Sequence, residues 1–176
     1  MTLRIRIASR KSNLAIRQVE ILKEHLSKDI EINIIEVVTS GDKTLDKSLA
    51  DIGGKGLFIK ELENTILKDG ADIAVHSMKD METELAADTK IAGVLPRGSR
   101  SDVLLGQYST LDDLPDGAVI GTSSVRRGAF AKSYRPDLQI KLLRGNVGTR
   151  IDKLNNGVFD AIILAKAGLD RLNIDI

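Results

Sequence analysis

The chain opens on an alternation. Leu3, Ile5 and Ile7 are apolar and Arg4 and Arg6 between them are basic, a period of two that predicts a strand. Ser12 then offers a hydroxyl to cap a helix. Ala15, Val19, Leu22 and Leu26 recur at helical spacing, predicting that helix over residues 12–28. Ile32, Ile34, Ile35, Val37 and Val38 predict a second strand. A polar, Gly-rich stretch over residues 39–56 follows. Phe58, Leu62 and Ile66 then mark a helix ended by Gly70, and residues 72–75 read as a short buried strand. The order is β-α-β-α-β.

The second half repeats it. Strands are predicted over residues 118–120, 139–143 and 160–164, with helices over 123–134 and 147–156, the latter stopped by Gly157. Local wording echoes too: Leu67-Lys-Asp-Gly-Ala-Asp-Ile-Ala-Val75 resembles Leu154-Asn-Asn-Gly-Val-Phe-Asp-Ala-Ile-Ile163, and Ile7-Ala-Ser resembles Ile120-Gly-Thr-Ser. The expected organisation is two similar lobes, residues 1–95 and 102–176, joined by a hinge at Pro96-Arg-Gly-Ser-Arg-Ser101. Apolar strands separated by helices imply mostly parallel sheets with flanking helices, an α/β class. Ligands of such sheets bind beyond the carboxyl ends of the strands, so the expected site is a cleft between facing lobes. The sequence stops just after a short helix and reads as a piece of a longer protein.

Composition narrows the function. With 42% hydrophobic and 29% charged residues among 176, the chain is globular rather than disordered. Lys and Arg number 26 against 25 Asp and Glu, so no basic field exists to hold a duplex. Three Phe, two Tyr and no Trp are too few for base stacking, and no nucleic-acid partner is expected. The absence of cysteine excludes disulfides, thiolate metal sites and a cysteine nucleophile from these residues. Two histidines without an acidic cluster suggest no metal site. No signal-like or membrane-spanning apolar run is present, which leads to the expectation of a cytoplasmic protein.

The polar residues collect where strands are predicted to end. Ser9-Arg-Lys-Ser12 follows the first strand and His76-Ser-Met-Lys-Asp80 the third. Gly121-Thr-Ser-Ser-Val-Arg-Arg127, Arg144-Gly-Asn-Val-Gly-Thr-Arg150, and then Lys166 and Arg171 follow in the second half. Several lead into helix N-termini, where free N–H groups and the helix dipole favour anions, and arginine adds planar forks matched to carboxylates. Taken singly, each has a plainer reading. Arg126 and Arg127 equally describe a solvated helix face, and Arg144 and Arg150 equally suit surface ion pairs. His76 reads better as a hydrogen-bonded strand end than as a base, Met78 as packing, and Lys79 with Asp80 as an exposed pair of little energetic weight. Five basic loops converging on strand ends favour a site for a polyanion. Gly53-Gly-Lys-Gly56 lacks the first glycine and the Ser/Thr of a phosphate loop, and Gly121-Thr-Ser-Ser-Val is no hydrolase elbow.

As a set these strings closely resemble the porphobilinogen deaminases, or hydroxymethylbilane synthases. The strings are Ile7-Ala-Ser-Arg-Lys-Ser12, Gly53-Gly-Lys-Gly-Leu-Phe58, His76-Ser-Met-Lys-Asp80, Gly121-Thr-Ser-Ser-Val-Arg-Arg127, Leu143-Arg-Gly-Asn-Val-Gly-Thr-Arg150 and Asp160-Ala-Ile-Ile-Leu-Ala165 with Ala167-Gly-Leu169. The resemblance runs collinearly through the chain. It implies two lobes like those of periplasmic binding proteins, with a third, C-terminal domain absent from this sequence and the first lobe lacking its returning segment. It implies a transferase of tetrapyrrole (haem) biosynthesis that condenses four porphobilinogen molecules head to tail, losing ammonia and releasing hydroxymethylbilane. It further implies a dipyrromethane cofactor attached to a cysteine that this chain does not contain, so these residues alone are expected to be inactive. By the same resemblance Asp80 is the catalytic carboxylate, and Lys55, Ser77, Lys79, Asp80, Thr122, Ser124, Arg126 and Arg127 hold the cofactor. Arg10, Ser12, Arg144, Arg150 and Arg171 hold substrate carboxylates, and the protein acts as a monomer. Met81-Glu82 stands where relatives usually carry Val-Pro, and Asn13 where Pro is common. The alternative from a different class is a non-catalytic two-lobed binding module for a polyanionic small molecule.

Overall fold

The computed structural model describes residues 2–43 and 56–175. It divides into two compact units, Met1–Arg97 and Gly98–Ile176.

In the first unit, β1 (Leu3–Arg10) leads into α1 (Asn13–Glu24) and β2 (Ile30–Val37). A one-turn helix, α2 (Ser40–Lys43), stands where the sequence suggested only irregular chain; α3 (Lys60–Leu67) and β3 (Ile73–Ala74) follow. The Ser12 hydroxyl accepts from Ala15 N–H at 3.3 Å, as the capping argument requires. Helix α1 ends earlier than its apolar spacing predicts. His25 and Leu26 N–H bond to Leu22 and Lys23 carbonyls three residues back, which tightens the last turn and closes the helix. The sheet is parallel with order β2-β1-β3. Ile7 and Ala8 in its central strand are fully buried, and Ala8 packs with Leu62 and Ala71 beneath α3.

The second unit begins with a strand absent from the sequence reading, β4 (Asp102–Gly106), and continues through β5 (Val119–Thr122), α4 (Val125–Tyr134), β6 (Gln139–Leu142), α5 (Val147–Asn155), β7 (Ala161–Ala165) and α6 (Lys166–Arg171). The sheet order is β4-β7-β5-β6. Strands β5, β6 and β7 are parallel, whereas β4 runs antiparallel to β7. Without β4 the order is that of the first unit, with the first strand of each βαβαβ run in the centre. Strand β7 is covered on both faces. Ala161 and Ile163 join one buried cluster, with Ile120, Ala131 and Leu138, while Ile162 and Leu164 join the other, with Leu143, Phe159 and Leu169. That double burial explains why its sequence is a continuous apolar run rather than an alternation. A Cβ on Gly121 would lie 2.8 Å from the Phe159 ring and 2.9 Å from Ile162, so the close approach of β5 to that cluster requires glycine.

Candidate functional site

Each unit gathers polar side chains at the carboxyl edge of its parallel strands. In the first, Arg10 is the last residue of β1. Its Nε lies 3.2 Å from both Asp42 oxygens, its Nη2 also donates to Asp42, and its guanidinium stacks 4.2 Å above the Phe58 ring. Burial raises the Asp42 pKa, but hydrogen bonds from Arg10 and Thr39 outweigh it and leave the carboxyl below its usual range. Arg10 is therefore held as a fixed fork, and among the described residues its Nη1 makes no hydrogen bond. Ser12 is engaged as the α1 cap. The Ser77 hydroxyl accepts from Gln18 Nε2 at 2.9 Å, which ties the segment after β3 to α1.

Lys79 and Asp80 lie in a single 3₁₀ turn, Met78–Asp80, just past β3. Asp80 N–H closes that turn on the Ser77 carbonyl at 3.0 Å, and Lys79 is exposed while Asp80 is half-buried. The Asp80 carboxylate makes no hydrogen bond or ion pair among the described residues, so its oxygens are available to an incoming N–H donor. Glu82, two residues past this turn, accepts from Gly56 N–H. Lys55 lies outside the described residues.

In the second unit, Thr122 ends β5 and is buried, its hydroxyl accepting from Ser124 N–H at 3.1 Å. Ser124 caps α4 and accepts from Arg127 N–H. Both hydroxyls thus shape the turn. Arg126 and Arg127 follow in the first helical turn, where the dipole disfavours cations and no acidic residue compensates. Asp102 meets them instead: Arg126 Nη2 lies 2.7 Å from one of its oxygens and Arg127 Nη2 2.7 Å from the other. Burial raises the Asp102 pKa, yet bonds from Arg127 and Arg126 prevail and hold the carboxyl below its usual range.

Arg144 follows β6 and is only 3% exposed, so it does not lie on the surface. Gly145, at φ +114°, turns the chain from Arg144 into α5 in a conformation that favours glycine. Arg150, within α5, donates from Nε to the Gly145 carbonyl at 2.8 Å, so its guanidinium folds back onto the same loop. Lys166 begins α6 beside the end of β7 and pairs with Asp170 at 2.5 Å. Arg171 closes α6, and the position of a Cβ on Gly98 lies 3.7 Å from its Nη2.

The second unit therefore brings together Thr122, Ser124, Arg126, Arg127 and Arg144, with Arg150 folded onto the same edge. The first brings together Arg10, Ser77 and the Lys79–Asp80 turn. Sequence reasoning missed Asp42, Gln18 and Asp102. A lone carboxylate ahead of an apolar run, as Asp102 stands before Val103-Leu-Leu105, carries no signal in a single sequence. Among the described residues no group of His, Cys, Asp and Glu is arranged to hold a metal ion, and no helix is long and apolar enough to cross a membrane.

Residues 5–176 match the family model described as porphobilinogen deaminase, dipyromethane cofactor binding domain. The chain belongs to the porphobilinogen deaminase family. It is 48% identical over 174 residues to the porphobilinogen deaminase of Buchnera aphidicola subsp. Acyrthosiphon pisum (strain Tuc7), covering 97% of this chain and 55% of that relative. It is likewise 48% identical over 175 residues to the enzyme of that name from Maridesulfovibrio salexigens, covering 97% and 57%. The chain thus spans about half the length of the curated relatives it matches. Among solved structures, the periplasmic domain of BvgS from B. pertussis aligns at TM-score 0.46 and 14% identity, over 93% of this chain and 30% of that one. A putative methionine-binding lipoprotein from Bacillus subtilis aligns at TM-score 0.42 and 16% identity, over 97% and 73%.

The residues present fit a dipyrromethane. Such a group brings two pyrrole N–H donors and several carboxylates, and calls for an acceptor and for cationic forks. Among the described residues Asp80 has the chemistry of the acceptor, and within the second unit Arg126, Arg127, Arg144 and Arg150 have that of the forks. The buried Arg127 Nε has no hydrogen-bond partner among the described residues, so the fold leaves part of its donor capacity unmatched.

Proposed function

We propose that these residues form the cofactor- and substrate-holding part of a hydroxymethylbilane synthase. That enzyme is a transferase condensing four porphobilinogen molecules head to tail into hydroxymethylbilane with release of ammonia. The observation carrying this reading is the pair of arginines in the first turn of α4. Cations there oppose the helix dipole, a local conflict of the kind sequences retain at functional sites and that an anionic ligand relieves.

Each pyrrole of the substrate carries an acetate and a propionate, so a growing chain accumulates negative charge. Arg10, Arg126, Arg127, Arg144, Arg150 and Arg171 receive it as forks. Ser12, Ser77, Thr122 and Ser124 shape the turns that aim these forks, and Lys55 and Lys79 add point charges for the cofactor. The dipyrromethane, when bound, supplies the pyrrole to which the first unit is added. Asp80 accepts hydrogen bonds from pyrrole N–H groups and offsets the positive charge that develops as ammonia leaves. We place the reaction in the cytoplasm and the protein as a monomer, with no nucleic-acid partner.

The test is porphobilinogen turnover by the cofactor-loaded enzyme carrying these residues. Release of hydroxymethylbilane with one ammonia per pyrrole is expected. Tight binding of porphobilinogen without ammonia release would mark a binding module instead. The 176 residues contain no thiol, so an intact mass equal to the polypeptide mass is expected for them alone.

A further inference from the structure

We propose that Asp102 is a positioning residue that sets the geometry of the Arg126–Arg127 pair before any ligand arrives. The inference rests on the reading of that pair as a carboxylate site.

Successive helix residues are about 100° apart around the axis, so neighbours on α4 are expected to splay. Here each guanidinium lies 2.7 Å from its own oxygen of one carboxylate, and both are drawn to one side. The Asp102 side chain is 26% exposed and that of Arg127 only 12%, so this anchor is largely withdrawn from solvent. Arg126 is 72% exposed, and among the described residues its side chain makes no hydrogen bond besides the one to Asp102. The topology delivers the carboxylate. Asp102 pairs with Ala165 at the carboxyl end of β7 because β4 runs antiparallel, which puts the beginning of β4 level with the carboxyl end of β7. A parallel strand would have placed its first residue at the opposite edge.

Electrostatics give the arrangement its purpose. Two guanidiniums at a helix N-terminus repel each other and the dipole. One carboxylate offsets part of that repulsion and leaves the cluster with net positive charge, so it still attracts a further anion. A preorganised pair loses less freedom on binding than two mobile side chains do.

The experiment titrates the 176-residue chain with a synthetic dipyrromethane bearing two acetates and two propionates, followed by calorimetry. Asp102→Asn is expected to weaken binding about tenfold, the loss of an ionic hydrogen-bond acceptor. Asp102→Glu should recover much of it, with the three melting temperatures close together. In the unliganded chain, nitrogen-detected NMR should show restricted Arg126 and Arg127 guanidinium signals. These should average in Asp102→Asn. That readout moves only if the carboxylate holds the arginines. Unchanged or tighter binding by Asp102→Asn, beside a clear loss in Arg127→Leu, would overturn the positioning role alone. No loss in Arg127→Leu would overturn the carboxylate site and this role with it. Freely averaging guanidinium signals in the unaltered chain would overturn the role even if Asp102→Asn failed to fold.

Discussion

Asp72 and Asp160 make the same two bonds in the two units. The Asp72 carboxylate accepts from Arg6 N–H at 2.6 Å while its own N–H donates to the Arg6 carbonyl at 2.9 Å. The Asp160 carboxylate accepts from Val119 N–H at 2.7 Å while its N–H donates to the Val119 carbonyl at 3.0 Å. Each aspartate thereby ties the entry of the third parallel strand to the central one. Asp160→Ala is expected to cost about 0.5–1.5 kcal/mol, the ordinary net worth of such a bond, read from urea unfolding of the chain.

At Asp72 the same lock carries a pH signature. Hydrogen bonds from the Arg6 side chain, then from its backbone N–H, hold the Asp72 carboxyl below its usual range. A carboxyl whose folded pKa is depressed contributes stability above the unfolded value, about 3.9, and loses it as pH falls through the lower folded value. Acid titration of unfolding should therefore show stability draining below about pH 4. Asp72→Asn should flatten that acid limb; an unchanged limb would assign it to other carboxylates.

Asp80→Asn keeps size and one acceptor oxygen but removes the charge. Loss of a preorganised electrostatic stabiliser raises a barrier by about 3–4 kcal/mol. Single-turnover pyrrole addition by the cofactor-loaded enzyme should slow roughly a hundred- to thousand-fold, with folding unaffected. A near-normal rate would remove Asp80 from the chemistry.

Arg144 and Arg150 call for different expectations. Arg150→Leu should weaken dipyrromethane binding while the melting temperature moves little, because the side chain folds over a loop rather than into the core. Arg144 is 3% exposed, so Arg144→Leu tests packing and binding together and should lower both. Calorimetry and thermal unfolding of the two variants separate these outcomes.

Ile162 is fully buried on the face of β7 opposite Ile163. Ile162→Ala should cost about 2–5 kcal/mol in denaturant unfolding, through lost burial and the cavity left behind.

The elements most legible in the sequence were those with a clean period and a local cap. Helix α1 followed from Ser12 and the apolar spacing of Ala15, Val19 and Leu22, and β1 from the alternation of Leu3, Ile5 and Ile7. Strand β4 was not legible. Its Val103-Leu-Leu run is short and follows directly on the predicted hinge, and only pairing with β7 makes it a strand. The arginines of the second unit were legible because glycines and helix caps surround them. Their partners were not. Asp42 and Asp102 reach Arg10 and Arg127 through tertiary contacts that no local spacing encodes.

The place of β7 has a consequence for synthesis on the ribosome. It is the last of these four strands to be made, yet it lies between β4 and β5. Gly106, ending β4, pairs with Ala161, so β4 emerges and waits through the whole of β5, α4, β6 and α5 before β7, its neighbour among the described strands, exists. Throughout that interval both of its edges are unpaired, and its apolar residues Val103, Leu104 and Leu105 lack their cover. Nascent chains arrested between Asn155 and Asp160 should therefore be the length class most dependent on chaperones and most prone to aggregate.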